Sequence, residues 1–201
     1  MSLIERWLTL VDTEAAGHDL IARYAEPHRA YHDVRHLTEV LDFVDELADE
    51  AEDADAVRFA AWFHDAVYEA VSEVSNEEAS ARLAERILPG LGVPAARVAE
   101  AARLVRLTEK HAAEEGDRNA SVLFDADLAI LAADPARYAE YAHSVRTEYA
   151  EVPDDVFRPA RARILGELLS APTLYRTPSA RERFESRARA NVTAEIAELT
   201  S

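Results

Sequence analysis

Four side chains suited to binding a divalent metal ion follow the order His, His-Asp, Asp along the chain. They are His36, the adjacent pair His64 and Asp65, and Asp127 within the run 125–128. Imidazole nitrogens and carboxylate oxygens are ligands for divalent ions, and four of them leave two positions of an octahedral ion open to water and substrate. An open coordination site distinguishes a catalytic metal from a structural one. The pattern therefore predicts a metal centre that carries out chemistry.

At two places in this pattern the residues alone leave an alternative open. His32 lies one helical turn before His36, and a His pair at this spacing is itself a metal-binding geometry. Asp125 competes with Asp127 in the same way, because the two carboxylates are separated by one alanine. Spacing alone therefore does not decide which member of each pair binds the metal.

The segments that must position these donors are predicted to be helices. The chain has 201 residues, only 5 of them glycine, and is rich in Ala, Leu, Glu and Arg, which favour helix. Apolar residues recur at helical spacing in 37–47, 57–64, 98–105 and 164–169. His64 lies on one such stripe, and Asp65 would point about 100° away from it on a regular helix. Both side chains can then bind one ion only if that ion lies at the edge of the helix.

Helix boundaries are marked by capping residues. Ser75 with Glu78 three residues later predicts a capping box. Asp134 and Thr177 are each followed by proline, which predicts two further N-caps with proline at the first helical position. These signals are typical of a chain built from many separate helices.

The domain organisation follows from the absence of a dividing segment. No linker rich in Pro, Gly or Ser interrupts the sequence, and it contains no internal repeat. We therefore expect one all-α domain over residues 1–201, with about eight to ten helices of ordinary length. Its metal-site core is predicted at about 28–131, and a C-terminal helical extension at about 134–200.

Composition restricts the partners and the compartment. The formal net charge of −17 argues against a nucleic acid polymer, which requires a basic surface. No apolar run approaches the roughly 20 residues of a membrane span, and the N-terminus lacks the pattern of a signal peptide. The chain has no cysteine, so any bound metal depends on His, Asp, Glu and water. We expect a cytoplasmic protein. The negative charge does not exclude a small phosphorylated ligand, because a local arginine cluster and a metal can attract one despite the global charge.

The motifs around the donors resemble those of the HD-domain superfamily of metal-dependent phosphohydrolases, and more narrowly a bacterial branch of that superfamily. The resemblance rests on YHDVRH at 31–36, AWFHD at 61–65 and LFDADL at 123–128, with further similar patterns at 76–80, 108–111 and 184–191. It implies an HD-type helical bundle with one divalent ion held by His36, His64, Asp65 and Asp127. It also implies that His32 contacts phosphate or neighbours the ligands.

Further residues are candidates for a role in catalysis. Some HD proteins bind two metals and have two histidines between the HD pair and the last aspartate, whereas His111 is the only histidine between Asp65 and Asp127 here. The resemblance therefore implies one metal, and His111 is a candidate for contacting phosphate or donating a proton. Some HD nucleotidases carry a glutamate three residues after the motif aspartate, where this chain has Tyr68 and, one step later, Glu69. Glu69 is therefore a candidate for acting on water, with a solvated helix-end carboxylate as the alternative.

Arginines are the candidates for binding phosphate, because a guanidinium pairs with phosphate through two hydrogen bonds. Arg35 leads, since it adjoins His36. The other candidates are Arg29, Arg103, Arg106, Arg146 and Arg163.

The predicted function is hydrolysis of a phosphate ester or anhydride in a small molecule, with a nucleotide as one candidate substrate. One divalent ion, Mn²⁺, Mg²⁺, Fe²⁺, Ni²⁺, Co²⁺ or Zn²⁺, would activate the water, and Asp65 would orient it. The alternatives are an iron oxygenase on an HD scaffold, a non-catalytic sensor of a nucleotide or metabolite, and a helical domain in which the same residues serve only packing.

Overall fold

Helices account for 71% of the chain in the computed structural model, which describes residues 1–69 and 75–201. Within these two ranges there are ten α-helices and no β-strand, so the prediction of an all-α fold is confirmed. No helix among the described residues is long and apolar enough to cross a membrane. The α-helices are α1 (Leu3–Leu8), α2 (Ala15–Tyr24), α3 (Val34–Glu46), α4 (Ala54–Phe63), α5 (Asn76–Ile87), α6 (Ala95–Leu107), α7 (Arg118–Asp127), α8 (Pro135–Glu148), α9 (Asp154–Ser170) and α10 (Pro178–Leu199). Three short 3-10 helices lie at Ala48–Glu50, Leu88–Leu91 and Leu128–Ala132.

Helices α4 and α7 form the centre of the core. Seven of the ten residues of α4 are buried, including Phe59, Trp62 and Phe63, and α7 likewise has seven buried residues. A helix that is buried over most of its length needs neighbours on several sides. Helices α3 and α6 supply this cover, because each packs against both α4 and α7.

The N-terminal helices pack against this core through Trp7, which is fully buried. Its ring meets Phe59 and Trp62 edge to face, with centroids 6.0 and 5.2 Å away. Gly17 on α2 allows this approach, because a Cβ at that position would lie 2.7 Å from the indole Cγ. The close approach of α1 and α2 thus depends on a residue without a side chain.

The predicted N-caps are present, with one difference. Asp134 and Thr177 each accept hydrogen bonds from amides in the first turn of the helix that follows. Ser75 also accepts from the amide of Glu78, but the carboxylate of Glu78 does not complete the box. It pairs instead with Arg82 on its own helix and Arg106 on α6. This ion pairing fixes α5 against α6.

The start of α10 is held to the end of α7 by Asp125, which is fully buried. Its carboxylate accepts hydrogen bonds from the amides of Arg176 and Thr177 and from the hydroxyl of Thr177. Burial raises the pKa of Asp125, although these hydrogen bonds oppose the shift. The C-terminal helices therefore pack directly beside the residue that ends α7.

Candidate metal centre

Each predicted metal ligand lies at or next to the end of a helix. His36 is in the first turn of α3, where the N-cap Asp33 accepts hydrogen bonds from its amide and that of Arg35. His64 is the C-cap of α4, and Asp127 is the last residue of α7. α4 ends at Phe63, and His64 as its C-cap keeps helical dihedral angles, φ −56° and ψ −39°. His64 and Asp65 place ligand atoms within 4.8 Å of each other at this end of the helix.

Three of these side chains form a group that can hold a metal ion. Ligand atoms of His36, His64 and Asp65 all lie within 4.8 Å of one another. The Nε2 atoms of the two histidines are 3.0 Å apart. Asp65 Oδ2 lies 3.3 Å from Nε2 of His36 and 3.1 Å from Nε2 of His64.

Asp127 adds a fourth donor to this group. Its Oδ1 lies 3.3 Å from Nε2 of His36 and 3.7 Å from Nε2 of His64. Its other oxygen, Oδ2, is 2.8 Å from Nε2 of His111, a residue with a left-handed backbone conformation at φ 46°. His111 therefore contacts the outer oxygen of Asp127 and does not join the inner group.

The hydrogen bonding of His64 leaves its Nε2 available as a ligand. Nδ1 of His64 lies 2.8 Å from the carbonyl oxygen of Ala61, which can only accept a hydrogen bond. Nδ1 must therefore carry the hydrogen, and the neutral ring has its lone pair on Nε2. This arrangement is typical of metal-binding histidines, whose second nitrogen donates to a carbonyl or carboxylate.

The charges of the group favour a cation. Burial alone would raise the pKa of Asp127, but hydrogen bonds from His111 and His36 outweigh it and hold that pKa well below its usual range. The pKa of Asp65 is also well below its usual range, because the charges of His64 and His32 outweigh its burial. Both carboxylates are therefore ionised at neutral pH.

The same two carboxylates raise the pKa of His36. Burial alone would lower its pKa, but hydrogen bonds to Asp127 and Asp65 raise the pKa to about 10. The C-terminal ends of α4 and α7, which carry partial negative charge, point to the same place. Two carboxylates, two imidazoles and two helix C-termini together fit a divalent ion.

The structure separates the two alternative residues from the group. His32 precedes α3, which begins at Val34, so it does not lie one helical turn before His36 as expected. Its Nδ1 is 2.7 Å from Oε2 of Glu148. Asp125 faces the start of α10 and is fully engaged by amides there. Geometry therefore brings together His36 and Asp127, the members of each pair that the family resemblance favoured.

Two other predicted site residues are not part of the group. Arg35 is exposed and pairs with Glu39 and Glu140, because it is rotated away from His36 on α3. The side chain of Glu69 is exposed, and its backbone pairs with the amide side chain of Asn76. The hypotheses that Arg35 leads phosphate binding and that Glu69 acts on water therefore lack support from their positions.

The remaining arginine candidates are already engaged by protein groups. Arg29 has a fully buried side chain and donates to the carbonyl oxygens of His32, Asp65 and Ala66. The other four pair with carboxylates or carbonyls of neighbouring segments; they are Arg103, Arg106, Arg146 and Arg163.

A cavity of about 1740 Å³ has His32 and His111, but none of the four predicted ligands, in its lining. His111 contacts Asp127, and the ring of His32 lies beside that of His36, so this part of the cavity is next to the metal group. Its walls extend along α8 and α9 and carry the cations Arg161 and Arg176. Neither arginine was a candidate from the sequence, because no short motif links them to the ligands. The same holds for Glu148, which meets His32 across 116 positions of sequence.

No protein-family model, curated protein or solved structure matches the chain. The fold and the site define an all-helical protein with a candidate centre for a divalent metal ion. Its function is therefore argued from the geometry of that centre.

Proposed function

We propose that the protein is a metal-dependent phosphohydrolase of the HD type, which hydrolyses a phosphate ester or anhydride in a small molecule. The observation that carries this proposal is the convergence of His36, His64, Asp65 and Asp127 from three helix ends. One divalent ion on these residues would lower the pKa of a coordinated water and polarise a phosphoryl oxygen.

The residues of the chain have separate roles in the proposed reaction. Asp65, which is ionised, accepts a hydrogen bond from the attacking water and so orients it. His111 fixes the carboxylate of Asp127 through its outer oxygen. In the transition state the negative charge is spread over the phosphoryl oxygens and develops on the leaving-group oxygen, and nearby cations and N–H donors stabilise it. Arg176 and His32, both in the cavity wall, are the donors proposed for this role, although one nitrogen of Arg176 also donates to the carbonyl oxygen of His111.

The cavity supports a substrate with a sizeable organic part. Its walls combine aromatic and aliphatic side chains, among them Tyr141, Tyr149, Phe157 and Leu168. Pockets for small molecules usually occupy about 300–1000 Å³, so this cavity accommodates more than an inorganic phosphate. Aromatic walls can stack with a planar group. We therefore propose an organic phosphate, for which a nucleotide is a reasonable first candidate.

The experiment is a phosphate-release assay with a panel of nucleotides and phosphoesters. The protein is loaded in turn with Mn²⁺, Mg²⁺, Fe²⁺, Co²⁺, Ni²⁺ or Zn²⁺. The test variant is H64A/D65A, and we expect it to lose turnover. The matched control is H18A/D19A, because His18 and Asp19 form a second His-Asp pair that is exposed on α2. Turnover by the native protein that does not exceed that of H64A/D65A with any metal would overturn the proposal.

Metal analysis and nucleotide binding distinguish the phosphohydrolase from the two alternative functions, an iron oxygenase and a non-catalytic sensor. An iron oxygenase would retain two irons per chain after purification without chelator. A sensor would bind a nucleotide tightly without a metal and without turnover. The four donors converge on one position, which favours a single ion over a pair.

A further inference from the structure

A buried carboxylate organises the segment that precedes α3. Glu148 is the last residue of α8, and its side chain is 1% exposed. Oε1 accepts hydrogen bonds from the amides of residues 30, 31 and 32, at 2.7–2.9 Å. Oε2 contacts Nδ1 of His32 at 2.7 Å and the hydroxyl of Tyr68 at 3.0 Å. Five groups from two separate segments therefore meet at one carboxylate.

Glu148 carries its charge in this setting. Burial alone would raise its pKa, but the hydrogen bond and charge of His32, together with the backbone amides, lower the pKa to about 2. An ionised carboxylate only accepts hydrogen bonds. Nδ1 of His32 must therefore carry a hydrogen directed at Glu148.

The opposite edge of the His32 ring is free to bind a ligand. Nε2 has no hydrogen-bond partner within residues 1–69 and 75–201, and the residue lines the large cavity. The ring lies edge to face with His36 at a centroid distance of 5.6 Å, which places it beside the metal group. A phosphoryl group held at that group would come within reach of Nε2.

Packing fixes the plane of the His32 ring. Tyr68 stacks on it with centroids 4.1 Å apart and an interplanar angle of 26°. Arg29 lies over the Tyr68 ring at 5.6 Å and donates to the carbonyl oxygens of His32 and Asp65. The His32 ring is thus held by Glu148 at one edge and by Tyr68 on one face. Arg29 links the backbone at His32 to the backbone at Asp65.

We propose that Glu148 is a positioning residue that acts through His32, holding Nδ1 so that Nε2 contacts a phosphoryl oxygen of the substrate. This inference rests on the proposed phosphohydrolase function and deepens it, because it assigns the phosphoryl contact to His32 and its orientation to Glu148. It also gives Tyr68 a role, since Tyr68 supports the same ring and the same carboxylate.

Binding of inorganic phosphate to the Mn²⁺-loaded protein tests this arrangement by calorimetry. We expect H32Q and E148Q each to weaken phosphate binding about tenfold, the effect of losing one hydrogen bond to a charged group. Because Glu148 acts through His32, the double variant H32Q/E148Q should bind no more weakly than H32Q alone. The matched control is E151Q, since Glu151 is an exposed glutamate three residues away. It should bind phosphate as the native protein does.

Two further measurements separate positioning from a general loss of structure. The native metal-free protein should show the Nδ1–H form of His32 by ¹⁵N NMR, and E148Q should not, with H32Q identifying the signal. Y68F removes only one hydrogen bond to Glu148, so it should weaken phosphate binding less than E148Q and still bind Mn²⁺ fully.

The outcomes distinguish the inference from the function on which it rests. Additive losses in H32Q/E148Q, or an unchanged His32 signal in E148Q, would overturn the positioning role. Non-additive losses without turnover by the native protein would uphold the positioning role and contradict the phosphohydrolase. Failure of the native protein to bind Mn²⁺ and phosphate would overturn both.

Discussion

The Nε2 atoms of His36 and His64 lie 3.0 Å apart in the buried centre of the protein. Two nitrogens that each bind a divalent ion at about 2.1 Å, at right angles to one another, would be about 3.0 Å apart. Asp65 and Asp127 place oxygens 3.1–3.7 Å from the same nitrogens, a similar spacing. The side chains of His36, His64 and Asp65 therefore have the separations of ligands that can share one ion, and Asp127 lies next to them.

Removal of the metal should lower thermal stability. A ligand present at about 100 times its Kd stabilises the native state by about 2.7 kcal/mol. For a domain of this size each kcal/mol shifts Tm by roughly 2–4 °C. We therefore expect chelation to lower Tm by about 5–10 °C, measured by calorimetry with elemental analysis of the same sample. H64A should show no difference between the two conditions, and H18A should respond as the native protein does. An unchanged Tm after chelation would contradict the prediction.

His111 should tune the metal centre without being one of its ligands. It contacts Asp127 through the outer oxygen, at 2.8 Å. Partners of this kind typically alter metal affinity by about 10–100-fold. We expect H111A to weaken Mn²⁺ binding by that factor and H143A to leave it unchanged, as measured by competition with a fluorescent chelator. Equal affinities of H111A and native protein would show that the contact does not orient the ligand.

Short motifs explain why the candidate donors could be found in the sequence and why their surroundings could not. The motifs around His36, His64 and Asp127 each span a few residues, although spacing alone left His32 and Asp125 as alternatives. Glu148 meets His32 only because α8 packs beside the segment before α3, and sequence spacing does not encode that contact. Arg35 lies outside the group, because residues adjacent on a helix direct their side chains about 100° apart.

The helix content was predictable for a related reason. Apolar periodicity and caps such as Asp134 are local, and the structure confirms both. The apolar stripe predicted over 57–64 agrees with α4, which ends at Phe63 with His64 as its C-cap. The stripe does not encode which other helices pack beside that end.

Substitutions of Asp125 and Asp127 should have different effects, the first on stability and the second on metal binding. D125A leaves the amides of Arg176 and Thr177 without their acceptor, and each buried unpaired group costs about 1–3 kcal/mol. We expect D125A to lose about 2–4 kcal/mol of unfolding free energy in urea and to keep its metal. D127A should lose the metal. A folded D125A sample, verified by circular dichroism, that fails to retain metal would contradict this division.

Gly17 should be intolerant of the smallest side chain. Alanine normally stabilises a helix relative to glycine by roughly 0.5–1 kcal/mol. At this position its Cβ would lie 2.7 Å from the buried indole of Trp7, so the ring would have to move. We expect G17A to destabilise the protein by about 1–3 kcal/mol. The control is G166A on α9, where a Cβ would meet no atom within 4 Å, and it should be neutral or stabilising. Urea unfolding followed by tryptophan fluorescence measures both, and equal effects would contradict the steric explanation.

The stability contributed by Glu148 should depend on pH. The pKa of this carboxyl is lowered from 4.5 to about 2 in the folded protein, since His32 and the backbone amides overcome its burial. A carboxyl with a lowered pKa stabilises the folded state fully above its unfolded value, and that contribution disappears as the pH falls through the folded value. We therefore expect the native protein to be more stable than E148Q by about 1–2 kcal/mol at pH 6, and this difference to shrink steadily from pH 4.5 toward pH 2.

Urea unfolding of metal-free samples between pH 6 and pH 3 measures this difference. The native protein is compared with E148Q and with E151Q, whose altered side chain is exposed. E151Q should follow the native protein across the whole window, because it leaves the contacts of His32 and Tyr68 intact. If the difference in unfolding free energy between the native protein and E148Q stays constant with pH, Glu148 stabilises the fold by its shape and not by its charge.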